Sequence, residues 1–433
     1  MVKIILTFTA LSMALSMVMG HGVHGLEKRA TATCSTVYKP VAAGAYPALD
    51  CTPFVQDPQV QTWLKLVDFT KTPVYPPSKD GVCPTDLTTI PKDQCWWTCQ
   101  KCEAPGDITS CPKTGTWGLT YDEILWTLVI CTHASRKNSA RVHFGPPKFA
   151  TNNPQVLSTT KQYALSHSSL LDACLPCLDG PSPDSPRLYD NLLAHKQKAT
   201  LFIVGSRAIS FPATLKRAYA DGHQIAIHTW SHPSMTSLTN QQIVAELKWT
   251  EKAIFDTIGV TPLYWRPPYG DVDNRVRNIA TQLGYKTSIW TQDFDTDDWN
   301  IPGGTATAQS VVATFQSWLA KIPTMSTGFI VLEHDLFPQE VDVSVNGILP
   351  IAYATKNLVM QPIAQCLSDG KPYKEGAGTF QLLPSNNGTT SNSTTGPTVI
   401  SGSGDKSSNA AVSISVSSGA SVLMAVAVMT ALC

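Results

Sequence analysis

Residues 199–232 read ATLFIVGSRAISFPATLKRAYADGHQIAIHTWSH, and this stretch decides the architecture. An apolar run at 199–204 precedes a helical pattern at 211–221 and a second apolar run at 223–230. Strand, crossover helix and strand in that order specify a parallel pair with helical cover. The same alternation continues outward. Downstream lie an amphipathic helix at 239–258 with Ile243, Leu247, Ile254 and Ile258 on one stripe, then strands at 263–266, 285–291 and 328–333. Helices are expected at 272–283, 310–319 and 345–364; upstream, a strand at 115–122 and a helix at 186–197 complete the series. Six or seven such units, with polar residues just past the strand ends, favour an α/β barrel whose chemistry sits at the carboxyl ends of parallel strands.

Composition narrows the setting. Charged residues are 15% of the chain, and 32 Lys plus Arg balance 32 Asp plus Glu, so no basic groove for nucleic acid is expected. Twelve cysteines suit an oxidising compartment. Residues 1–20, with Lys3 before an apolar run, read as a secretory signal peptide, and Lys28-Arg29 as a dibasic site ending a propeptide at 21–29. Residues 30–111 form a cysteine-rich region. Its CWWTCQKC stretch is expected in disulfides, with a metal knuckle as the alternative, and Trp96-Trp97 suits either sugar rings or a small core. Residues 371–409 read as a Ser/Thr-rich stalk with sequons at Asn387 and Asn392. Asn409-Ala-Ala and the apolar tail make 410–433 a glycosylphosphatidylinositol (GPI) anchor signal, placing the mature chain on the outer face of the plasma membrane and the wall.

The strand ends collect the candidate chemistry: Asp122, His228 and His232, Arg266, Asp293 to Asp298 with Trp299, and His334. Two histidines four apart can share one divalent ion, which needs a third, preferably anionic, ligand and an open position. A second carboxylate beside it would accept a proton from water. Asp122 with Glu123, or Asp122 with Asp179, could supply the pair.

These residues carry a resemblance. Thr120-Tyr121-Asp122, Asp179-Gly-Pro-Ser-Pro183, His228 to His232, Arg266 to Tyr269, Asp295 to Trp299 and Leu332 to His334 follow, in order, the motifs of the polysaccharide deacetylase family (the NodB-like domain of carbohydrate esterase family 4). Within it the chain is similar to fungal chitin deacetylases. The resemblance implies a distorted (β/α) barrel over 112–370 and one zinc or cobalt ion on Asp179, His228 and His232. It makes Asp122 the base, paired with Arg266, and His334 the acid, oriented by Asp295 or Asp298. It places the backbone N–H near Tyr269 at the oxyanion, and Trp299 and Leu332 around the acetyl methyl. Chitin or a related N-acetylglucosamine polymer is the implied partner, with no obligate protein partner.

The first motif is split. Residues 123–178, 56 residues without sustained periodicity, separate Asp122 from Asp179, far beyond the ~2–6 residues usual for such a connection. They read as translated intron or a misassigned exon, with a lid loop over the sugar groove as the rival. Without them and the anchor signal, Cys34, Cys51, Cys83, Cys95, Cys99, Cys102, Cys111 and Cys366 remain, a number that can pair completely. The expected function is metal-dependent removal of N-acetyl groups from chitin, giving chitosan and acetate. The alternatives are another acetylated polysaccharide as substrate, or a chitin-binding wall protein whose turnover the insert has impaired.

Overall fold

A computed structural model describes residues 34–122 and 181–376. The expected signal peptide and propeptide, the 123–178 segment, Asp179, most of the stalk and the anchor signal lie outside the described residues. Among the described residues there are eight short strands: β1 (Thr116–Gly118), β2 (Thr120–Asp122), β3 (Thr200–Ile203), β4 (Gln224–Ile227), β5 (Tyr264–Trp265), β6 (Lys286–Thr287), β7 (Phe329–Ile330) and β8 (Val359–Gln361). They make two sheets, β2-β3-β4-β5-β6 and β7-β1-β8, and every ladder is parallel. Isolated parallel bridges extend the pairing: Asp122 with His334 and Asp295 with Leu332. The chain after β7 thus lies between β2 and the chain after β6, which closes a distorted (β/α) barrel.

Three differences from the sequence expectation have local causes. The strand expected at 115–122 is divided at Leu119, whose N–H donates to Gln361 while its carbonyl accepts from Thr200, handing the chain from one sheet to the other. The helix expected at 345–364 stops at Ala354; Asn357 turns left-handed at φ 66°, and Val359–Gln361 adds a strand beside β1. An unforeseen helix, Gly205–Ser210, packs so closely that a Cβ on Gly205 would sit 2.7 Å from the Trp230 ring, and only glycine fits. The split strand and the added one explain eight strands in place of six or seven.

β1 to β5 and β7 are buried along their whole length, while β6 and β8 keep exposed residues. Trp117, Tyr121, Leu201, Phe202, Ile225, Ile227, Tyr264, Trp265, Phe329 and Ile330 are all buried, each such side chain contributing about 1.5–3 kcal/mol. The helix Asn240–Ile258 begins in a capping box between Thr239 and Gln242 and ends at Gly259 in the left-handed region.

The cysteine-rich region packs into the same core through Val60, Val67, Trp97 and Cys111. The eight cysteines form Cys34–Cys51, Cys83–Cys99, Cys95–Cys102 and Cys111–Cys366. Oxidised partners remove the thiolates a metal knuckle would need. Trp96 and Trp97, buried to 5% and 1% exposure, are core rather than sugar platforms. Among the described residues no helix is long and apolar enough to cross a membrane.

Candidate active site

Period-two alternation along β2 sends Thr120 and Asp122 to one side and Tyr121 to the other. Arg266, at the end of β5, meets that side: its Nη1 donates to Asp122 Oδ1 at 2.7 Å and to Thr120 Oγ1 at 3.0 Å. The guanidinium is wholly buried, 4.2 Å from the centroid of the Phe202 ring. Burial pulls its pKa down and the Asp122 carboxylate pushes it back up, so the two charges need one another.

The loop after β4 supplies the histidines. Thr229 and His232 both take left-handed backbone, φ 68° and 54°, which costs roughly 1–3 kcal/mol at each. The turn is held by the His232 N–H on Thr229 Oγ1 and by Glu246 on the helix Asn240–Ile258. His228 Nδ1 donates to the Arg266 carbonyl at 2.9 Å, which fixes the tautomer and turns Nε2 toward Asp122, 3.8 Å from Oδ2. Burial pushes the His228 pKa down to about 4, so the ring is neutral at physiological pH. The two imidazole centroids lie 4.8 Å apart.

Two histidines side by side, His228 neutral and with its outer nitrogen already bonded to a carbonyl, fit a borderline divalent ion such as zinc or cobalt. Among the described residues no third His, Cys, Asp or Glu completes a metal-holding group. Asp179, the expected third ligand, lies outside them. The chain leaves at Asp122, bridged to His334, and Ser182, just after it resumes, donates its hydroxyl to the carbonyl of Asp335 at 3.1 Å. The two flanks of the split motif are therefore fastened to consecutive residues.

On the other side, His334 Nδ1 donates to Asp298 Oδ1 at 2.6 Å and its backbone N–H to Oδ2 at 2.9 Å. Burial opposes a charged ring there, but the Asp298 charge and hydrogen bond, with help from Glu340 and Asp122, raise the His334 pKa to about 9. Of the two aspartates expected to orient His334, Asp298 makes the contact; Asp295 Oδ1 accepts instead from the Asp297 N–H, and burial lifts its pKa to about 6. Leu332 is buried and Trp299 half-buried. Trp230, Trp265 and Trp290 are buried as packing.

Tyr269 is 43% exposed at φ 58°, its ring edge-on to His232 with centroids 4.7 Å apart. The cysteine-rich region props its loop: Trp97 packs edge-on against Trp290 at 4.7 Å, and Trp96 Nε1 donates to Asp271 at 2.7 Å. Asp271 also accepts from the Thr236 N–H, and burial raises its pKa to about 6. The sequence motifs did not point to Glu246 or Asp271; the available signal for Glu246 was a carboxylate on the buried stripe of an amphipathic helix. A separate hollow of about 580 Å³, between residues 34–57 and the helix Asn240–Ile258, shares no residue with this site.

A parallel barrel with a buried Asp–Arg pair, two histidines and an Asp–His pair at its strand ends defines a class, and residues 179–288 match the family model for polysaccharide deacetylase. The chain carries a polysaccharide deacetylase domain of the NodB-like, carbohydrate esterase family 4 type. It is 41% identical over 331 residues to chitin deacetylase 1 of Cryptococcus neoformans, covering 74% of this chain and 58% of that protein. It is 34% identical over 319 residues to the chitin deacetylase of Amylomyces rouxii, covering 72% and 60%. The chain thus spans about 58–60% of the length of these relatives. The solved structure of the chitin deacetylase from Colletotrichum lindemuthianum aligns with 62% of this chain and 95% of its own, at TM-score 0.44 and 24% identity.

Proposed function

We propose that the protein hydrolyses the N-acetyl groups of chitin with one divalent ion, releasing acetate and leaving chitosan. The observation that carries this reading is the placement of two opposed ion pairs, Asp122–Arg266 and His334–Asp298, around the adjacent rings of His228 and His232. His228, His232 and Asp179 would hold the ion. When bound, it would polarise the amide carbonyl and make water a better nucleophile. Arg266 keeps Asp122 oriented to take the proton from the attacking water. His334, protonated through Asp298, gives a proton to the departing amine, a poor leaving group without one. The Tyr269 backbone N–H donates to the oxyanion, and Leu332 with Trp299 walls the acetyl methyl. No serine or cysteine nucleophile enters.

Chitin is favoured over other acetylated polysaccharides by the similarity to fungal chitin deacetylases. The same reading makes the protein secreted and tethered by a GPI anchor. Acetate release from N-acetylglucosamine oligomers tests it, with and without chelator and in His228→Ala. Binding of insoluble chitin without acetate release, in protein rebuilt with Asp122 joined to Asp179, would favour the glycan-binding alternative instead.

A further inference from the structure

The loop bearing His228 and His232 is bonded to a carboxylate that the reaction does not use. Glu246, in the second turn of the helix Asn240–Ile258, is fully buried. Its Oε2 accepts from the backbone N–H groups of both Trp230 and Ser231 at 2.8 Å, and its Oε1 from the Ser231 hydroxyl at 2.6 Å. These are two of the three residues between the two histidines. A carboxylate taken out of water needs such donors, and the left-handed turns at Thr229 and His232 need an external hold. The helix is anchored by its own capping box and by its packing against the helix Gly205–Ser210, so it is a rigid post.

We infer that Glu246 is a positioning residue, setting the separation and aim of the two imidazoles so that they take a divalent cation without rearranging. This rests on the metal-dependent reading above. Its effect reaches the cation through the Trp230–Ser231 backbone rather than by contact. Outer partners of this kind typically change metal affinity by about 10- to 100-fold.

Cobalt(II) titration of metal-stripped full chain tests it, followed by calorimetry and by the visible spectrum of the bound ion. Wild type is expected to bind one equivalent and His228→Ala none; a wild type that takes up no cobalt would sink the metal reading and, with it, this inference, whereas the Glu246 variants below test the inference alone. Glu246→Leu, which keeps volume but removes every acceptor, is expected to bind on the order of tenfold or more weakly, with a shifted spectrum. Glu246→Gln is expected to restore most of the affinity. Its amide oxygen can take both backbone N–H groups while Ser231 turns its hydroxyl to accept. Wild-type affinity and spectrum in a folded Glu246→Leu overturn the inference, as does equal loss in the glutamine variant. Should the leucine variant not fold, unchanged values in Ser231→Ala overturn it.

Discussion

His334 holds Asp298 by both its ring and its backbone, Nδ1 to Oδ1 at 2.6 Å and N–H to Oδ2 at 2.9 Å. The double contact ties proton affinity to loop position. With a folded pKa near 9 against 6.5 in the unfolded chain, the folded state binds the extra proton between those values. Stability from this pair is therefore complete below pH 6.5 and lost as pH rises through about 9, a slope that urea unfolding at pH 6, 7.5 and 9 should show.

Asp298→Asn keeps the shape and removes the charge. The His334 pKa should fall, moving the alkaline limb of kcat/KM to lower pH, and the rate should drop about 100-fold or more as the acid is lost. An unmoved limb would remove His334 from the acid's role.

Arg266→Met leaves Asp122 buried beside apolar rings. Losing one member of a buried pair costs about 3–5 kcal/mol in urea unfolding, and acetate release should fall even in the fraction that folds.

Gly270 sits at φ 65°, where a Cβ would meet the Trp97 ring at 2.5 Å. Gly270→Ala should cost roughly 1–2 kcal/mol for the left-handed backbone alone, and more from displacing the ring. Because Tyr269 is its neighbour, kcat/KM should fall with it, while cobalt binding by His228 and His232 is retained.

Removing residues 123–178 joins Asp122 to Asp179. The flanks fastened at His334 and Asp335 should accept the shorter link, so the protein should keep its melting temperature and release acetate faster than the full chain. Slower release would favour the segment as a working lid.

The histidines, Arg266, Asp122 and His334 were legible because a parallel barrel places strand-end residues at one mouth, whatever the loops do. The partner of His334 was not. Asp293 and Asp297 adopt left-handed backbone, and those turns, not the order of aspartates, decide which carboxylate faces the imidazole. Glu246 was hidden by the pattern containing it, since an amphipathic helix reads the same with one buried carboxylate on its stripe. β8 was hidden because its apolar run continues the preceding helix in sequence; only pairing with β1 makes it a strand.

Cys111 and Cys366 join the approach to β1 and the last described helix across 255 residues. Nearly the whole barrel thus lies within one covalent hoop. A protease cutting anywhere inside it, including at the long segment after Asp122, would produce two peptides that still travel as a single molecule. Such a nick would show only after reduction, because the disulfide would keep the two pieces from separating.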